Sequence, residues 1–177
     1  AGVVRIHTEA KTLKLRPVIG CRLETVEGLS FLAYPADRAA YGRLCRLLSA
    51  GRMAKLDGTW QDKGACDISL AMLADHAEGM HLVLLPPRDL AAPVTIAVES
   101  NVVAFPGSAE GAAMHGSLLT APFPDILPHL VRRLPGLRHL AASYLYSGDD
   151  IARIDRLDAL AKAHGLGLLA TNDVQYH

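Results

Sequence analysis

Cysteine is too scarce and too scattered to staple this chain. Cys21, Cys45 and Cys66 are odd in number and nowhere form C-x-x-C, which excludes a disulfide scaffold. Long apolar runs are missing as well. The longest, around residues 82–87, is far short of the ~20 residues a membrane-spanning helix needs. The opening residues lack the basic–apolar–small pattern of a signal peptide. Charge of one sign is also absent, with 18 Lys and Arg against 18 Asp and Glu. That balance argues against a domain that grips nucleic acid through a broad basic face of its own. Nucleotide and nucleophile signatures are lacking too: there is no G-x-x-x-x-G-K-[ST], no G-x-G-x-x-G and no G-x-S-x-G. Together these absences predict a reducing, cytoplasmic compartment and no membrane partner.

What is present suits a globular α/β domain. Half of the 177 residues are apolar, and a chain of this size buries roughly 70% of its unfolded surface. Residues 1–60 carry ten Lys and Arg against five Asp and Glu, whereas residues 61–177 carry eight against thirteen. The chain opens at an alanine, directly in a helical pattern without a cap, and so reads as an N-terminally truncated piece.

Val3, Val4, Ile6, Ala10 and Leu13 set a first helix that Arg16-Pro17 ends. Residues 18–23 and 29–34 read as strands joined by a tight turn at Glu27-Gly28. Asp37 is positioned to cap a helix with Tyr41, Leu44, Cys45, Leu47 and Leu48 inward. Residues 51–65 read as a loop bearing the single tryptophan, Trp60. Asp67 or Ser69 caps a short helix through Leu70, Leu73 and Ala74. The apolar run 81–85, stopped by Pro86-Pro87, has the pattern of a strand covered on both faces.

Eight of the ten prolines fall between 86 and 135, making the middle the least regular part, with a hairpin over 95–105 turning at Ser100-Asn101. A helix over 126–134 and a strand over 137–143 follow. Gly148-Asp149-Asp150 then opens a helix with Ile151, Ile154, Leu157, Leu160 and Ala161 inward, ended by Gly165. A last strand spans 166–170. Strands alternating with helices imply a largely parallel sheet, open or barrel-like.

In such folds functional groups sit beyond the carboxyl ends of strands. Gly20-Cys21-Arg22, residues 143–146 and Asn172-Asp173 are the three candidate places. Asp173 has the chemistry to ligate a metal or orient a base, although on residue type alone a capping role for it or Asn172 is favoured. The eight histidines show no local ligand spacing: His76 and His81 are five apart, His129 and His139 ten apart. His164 suits a helix C-terminus. Cys21 reads as a core residue rather than a ligand or nucleophile. Arg132, Arg133 and Arg138 read as a solvated helix end.

Several stretches together resemble one family. Ala1-Gly2-Val3-Val4-Arg5, Tyr41-Gly42-Arg43-Leu44-Cys45-Arg46-Leu47-Leu48 and His76-Ala77-Glu78-Gly79 are similar to the N-terminal region of bacterial family-C DNA polymerases, error-prone branch. So are Leu145-Tyr146-Ser147-Gly148-Asp149-Asp150 and Leu169-Ala170-Thr171-Asn172-Asp173-Val174-Gln175-Tyr176-His177. The similarity covers most of the chain and weakens over 90–120.

The resemblance implies that residues 1–177 are part of a PHP (polymerase and histidinol phosphatase) domain. Its fold would be a distorted (β/α)7 barrel whose first strands lie upstream, with the polymerase core downstream. Active PHP domains hold metal ions with His, Asp and Glu. Here Arg22 stands where an acidic ligand is expected and Gln175 where the terminal D-x-H has its histidine, leaving Asp173 as the remnant. A permanent cation and a neutral amide in place of two ligands all but abolish tight metal binding.

The implied role is therefore structural, with no catalytic residue and no cofactor in the segment itself. The parent error-prone polymerase would act in DNA repair and translesion synthesis with Mg2+ at its core. Its partners would be the remainder of the polymerase chain, DNA through other domains, and other repair proteins. The competing reading is a free-standing PHP-type metal-dependent phosphoesterase. A third is an interaction module presenting Arg38, Arg43, Arg46 and Arg52, for which a solvated helix surface is the simpler explanation.

Overall fold

A computed structural model describes residues 2–98 and 117–171. Local turn chemistry sets the first strand pair. Gly28 adopts φ +79°, a left-handed conformation that glycine enters without a Cβ penalty, and its N–H donates to the Thr25 carbonyl at 2.9 Å. The turn joins β1 (Cys21–Glu24) to β2 (Ser30–Pro35) in antiparallel register, with Arg22 opposite Leu32. β2 pairs antiparallel with β3 (Met80–Leu85), which runs parallel to β6 (Leu137–Ala142), itself parallel to β7 (Gly167–Ala170). The resulting five-stranded sheet has the order β1-β2-β3-β6-β7. A second, two-stranded antiparallel sheet joins β4 (Pro93–Val98) and β5 (Ser117–Pro122).

Five helices accompany these strands. α1 (Gly2–Thr12) comes first. α2 (Arg38–Met53) packs on β2 and on α3 (Leu70–His76), α4 (Phe123–Arg133) packs on β4 and β5, and α5 (Asp150–Ala163) packs on β6 and β7. Their caps follow the residue types. Asp37 Oδ1 accepts from Ala40 N at 2.7 Å, and Ser69 Oγ accepts from Met72 N at 3.2 Å. Gly165, at φ +68°, ends α5. α4 begins three residues earlier than the sequence pattern suggested, because Pro124 is tolerated in a first turn whose N–H groups have no partner. One core unites the layers: Phe31, Leu82, Leu84 and Leu140 from the large sheet, Leu44 and Leu47 from α2, Leu70 and Leu73 from α3, and Ile126, Leu127 and Leu130 from α4.

Several sequence expectations need correction. The large sheet is mixed rather than largely parallel, and among the described residues neither sheet closes into a barrel. β1 starts at Cys21, so Gly20-Cys21-Arg22 opens a strand instead of following one. The buried stripe of α2 is Ala40, Leu44, Leu47 and Gly51, rotated so that Tyr41 and Cys45 are exposed. Gly51 belongs to that helix rather than to a loop. A Cβ there would lie 2.8 Å from the Asp67 carbonyl oxygen, so only glycine permits this approach.

The partner of β4 is β5, a strand the pattern did not reveal, and the expected turn at Ser100-Asn101 lies outside the described residues. On α5, Ile151 is 69% exposed while Arg153 faces inward at 5%. Apolar residues of α1 are likewise exposed, Ala10 alone being buried in that helix. Amphipathic spacing proposes a face; what is packed against the helix decides which arc is covered.

Gly136, just before β6, lies close against the start of β3. Its carbonyl accepts from Leu82 N at 2.9 Å, and any Cβ would collide with the Met80 carbonyl oxygen. Gly136→Ala is therefore expected to lower the unfolding free energy by about 1–3 kcal/mol, the usual cost of overpacking, in denaturant titration. Gly2→Ala, with nothing within 4 Å of the added carbon, should leave the midpoint in place.

Candidate functional site

The parallel strands β3 and β6 end at a common edge, and a cleft of about 270 Å3 opens there. Pro86, Pro87 and Arg88 follow β3 into its wall, while Ser143 and Leu145 follow β6. Gly28, Leu29 and Ser30 contribute the β1–β2 turn, Arg22 reaches in from β1, and Arg153 comes from α5. Three arginines and two serines are thus among the residues that line the cleft, and among the described residues none of the lining is Asp, Glu or His.

Each arginine is held differently. Arg22 Nε pairs with Glu24 Oε1 at 3.2 Å on the same face of β1. Arg88 is exposed and makes no ion pair among the described residues. Arg153 is buried, donating from Nη2 to the Pro87 carbonyl at 2.9 Å and from Nε to the Arg88 carbonyl at 3.3 Å. Burial pushes the Arg153 guanidinium below its ordinary value, and the carboxylates of Asp149 and Asp150 oppose that push.

The opposite wall is fixed by Asp150, which is 3% exposed. Its Oδ1 accepts from Leu145 N at 2.6 Å and its Oδ2 from Ser147 N at 3.0 Å. Ser147 Oγ donates to Asp149 Oδ1 at 2.9 Å. The loop so pinned places Tyr146 at φ +57°, an uncommon conformation for a residue with a side chain, followed by Gly148 at +93°. Tyr146 is 88% exposed and stands edge-on to Tyr144, ring centroids 5.3 Å apart.

Of the residues singled out in the sequence, the cleft unites Arg22 with Ser143 and Leu145. Asn172, Asp173, Gln175 and His177 lie outside the described residues. Cys21 is half-buried against the core, and burial pushes its thiol up, with smaller contributions from Cys45 and Cys66. The histidines are dispersed: His76 Nδ1 is 2.9 Å from the Met72 carbonyl oxygen, His129 Nδ1 is 3.1 Å from Arg132 Nη2, and His164 is the C-cap of α5.

Among the described residues no three His, Cys, Asp or Glu side chains converge as metal ligands. The described wall of this cleft offers arginine and serine side chains, not the His, Asp and Glu donors that a divalent-cation cluster takes. Arg133 is no freely solvated helix end, since its Nη1 donates to the Ala97 carbonyl at 2.9 Å. Arg43 likewise ties α2 to the turn before β3, donating to the Glu78 carbonyl at 2.8 Å. Sequence reasoning missed Arg88 and Arg153. For Arg88 the available signal was its place after a buried strand and two prolines. For Arg153 it was the helical spacing from Asp150 and to Leu157.

No family model matches the chain. Its relatives are more informative. The chain is similar throughout to error-prone DNA polymerases. It is 34% identical over 178 residues to that of Caulobacter vibrioides and 38% over 182 residues to that of Rhodopseudomonas palustris. To error-prone DNA polymerase 1 of Agrobacterium fabrum it is 35% identical over 177 residues. All of this chain is covered in each comparison, yet it spans only 13% of each of these error-prone polymerases. Among the described residues no helix is long and apolar enough to cross a membrane.

Replacing Arg153 by Met is expected to cost about 2–4 kcal/mol in equilibrium unfolding. The change leaves the Pro87 and Arg88 carbonyls without their charged donor and Asp150 without a nearby cation. Arg153→Lys should recover only part of that loss, because an ammonium cannot reproduce the fork. Unchanged stability in the Met variant would refute the clamp. The thiols give a second test. Peptide mapping after a short iodoacetamide pulse at pH 8 should find exposed Cys45 labelled well before Cys21, whose burial disfavours the reactive thiolate. Equal labelling would contradict the packing of β1.

Proposed function

We propose that this chain is a PHP-domain segment of an error-prone DNA-directed DNA polymerase, a cytoplasmic enzyme acting in translesion synthesis and DNA repair. The observation that carries this reading is the 34–38% identity to error-prone DNA polymerases along the whole chain. The role of the segment is structural: a platform for the rest of the polymerase chain, with DNA gripped by other domains and Mg2+ serving the polymerase core elsewhere.

Two features support the structural role. Arg22, where the resemblance leads one to expect an acidic ligand, lines a cleft with two further arginines. A divalent ion entering there meets fixed positive charge in a partly desolvated space, where repulsion is stronger than in water. The described strands, with their parallel β3-β6-β7 portion, form one arc of the proposed PHP barrel, which further strands would complete. Asp173 is then a remnant of a metal site rather than a working ligand.

The test begins with the coding sequence beyond His177, which should continue into a polymerase core with its acidic motif. A stop codon directly after His177 would overturn the reading. The full-length protein should then extend primers, and Asp173→Ala should leave the rate within about twofold of wild type, since no transition-state contact is lost. Elemental analysis should show no stoichiometric Mn, Zn or Fe in the complete PHP domain. Stoichiometric metal with phosphoesterase activity would support the free-standing phosphoesterase instead.

A further inference from the structure

The single tryptophan stands in solvent on a pinned hairpin at the end of α2. We propose that this hairpin docks into an apolar pocket on the remainder of the polymerase chain, with Trp60 as the anchor and Met53 and Leu56 as its apolar neighbours. The inference rests on the reading of the chain as a segment of an error-prone polymerase, and it names the surface by which that platform is held.

Preorganisation is the first ground. Ala54 and Trp60 form an antiparallel bridge. Lys55 N donates to the Thr59 carbonyl at 2.8 Å, and Gln61 N donates to the Met53 carbonyl at 3.2 Å. Gly58 closes the turn at φ +84°, its N–H donating to the Lys55 carbonyl at 3.0 Å. Asp57 Oδ1 accepts from Thr59 N at 2.9 Å and from Thr59 Oγ1 at 2.7 Å. Lys55 Nζ pairs with Asp62 Oδ2 at 3.0 Å. The backbone that carries the indole is thus set before any partner arrives, which lowers the ordering cost of binding.

The kind of side chain exposed is the second ground. Trp60 is 82% exposed, and Met53 and Leu56 are each more than half exposed. Across the bridge Trp60 faces Ala54, whose methyl group is too small to cover an indole. Tryptophan contributes to stability chiefly through the area it buries, so at this position it adds little to the fold. Buried in a partner's pocket, the same side chain is among the commonest interface hot spots. Methionine is likewise enriched in interface cores and adapts its shape to the surface it meets.

The size and character of the patch identify the occupant. Met53 and Leu56 carry neither a ring to stack on a base nor a charge for a phosphate, so a nucleic-acid strand would gain from Trp60 alone. Three side chains offer no more than a few hundred Å2, well short of the ~1,200 Å2 of a stable interface between separate proteins. A second copy would also bring together two patches flanked by exposed Arg52 and Lys63, cations against cations. A partner on the same polypeptide needs far less contact, because its tether keeps it at high effective concentration. The chain spans 13% of each error-prone polymerase it resembles, so most of the proposed polymerase lies outside it and is tethered in this way.

Hydroxyl-radical footprinting of the full-length protein, read by mass spectrometry, tests the docking. Trp60 and Met53 should be oxidised at least about tenfold more slowly in the native protein than in urea, as a predominantly docked state requires. Protection should be independent of protein concentration and of added oligothymidylate. A lysine-reactive cross-linker should join Lys63 to residues of the same molecule outside 1–177. Trp60→Ala should raise the oxidation rate of Met53 about fivefold or more, while Met80, buried in β3, stays protected. If the alanine variant also exposes Met80, Leu56→Ala is read in its place with the same expectation. Oxidation of Trp60 at its unfolded rate, or an unchanged Met53 in the folded variant, would overturn the docking. So would protection that appears only with oligothymidylate or rises with protein concentration, or cross-links confined to residues 1–177 or to a second molecule. A coding sequence that stops at His177 would instead sink the polymerase reading, whereas a primer-extending protein with unprotected Trp60 would sink the docking alone.

Discussion

The buried Arg153 guanidinium holds the functional edge of the sheet together. It leaves the inner face of α5 and binds two successive carbonyls of the segment that follows β3. One turn earlier on the same helix, Asp150 binds two amides of the segment that follows β6. A single helical turn therefore fixes both walls of the cleft, one through a cation and the other through an anion. Buried charges are costly unless each is hydrogen-bonded, and here each is bonded to two backbone groups. The opposite signs also moderate one another, the two carboxylates opposing the effect of burial on Arg153.

This arrangement ties both walls of the cleft to one helix. Asp150 is occupied in shaping the loop, and Glu24 pairs with Arg22. Arg88 is carried to the rim by a backbone that Arg153 holds. The same constraint forces Tyr146 into its positive φ and sets it against Tyr144. Within an error-prone polymerase, as proposed, such an edge would be a structural surface rather than a hydrolytic centre.

Much of the fold was legible along the chain because the relevant signals are local. Asp37 and Ser69 cap their helices through side-chain oxygens that reach amides three residues on. Gly28 and Gly165 sit at positive φ where a turn and a helix end require it. The apolar run at β3 is a strand buried over most of its length. What failed was long-range. β5 is a weakly patterned, partly exposed strand that exists through its pairing with β4. The antiparallel half of the large sheet depends on β2 returning beside β3, which no periodicity specifies.

By itself, the sequence determined most element types, most caps and turns, the resemblance to error-prone polymerases, and the presence of Arg22 where a ligand was expected. Tertiary structure alone decided that Arg22, Arg88 and Arg153, drawn from three elements far apart in sequence, line one cleft. It also decided that Arg153 rather than Ile151 faces inward on α5. The physical reason is the same in both cases. Caps, turns and hydrophobic periods are satisfied within a few residues of the chain, whereas a guanidinium is buried only where distant backbone carbonyls are brought to meet it.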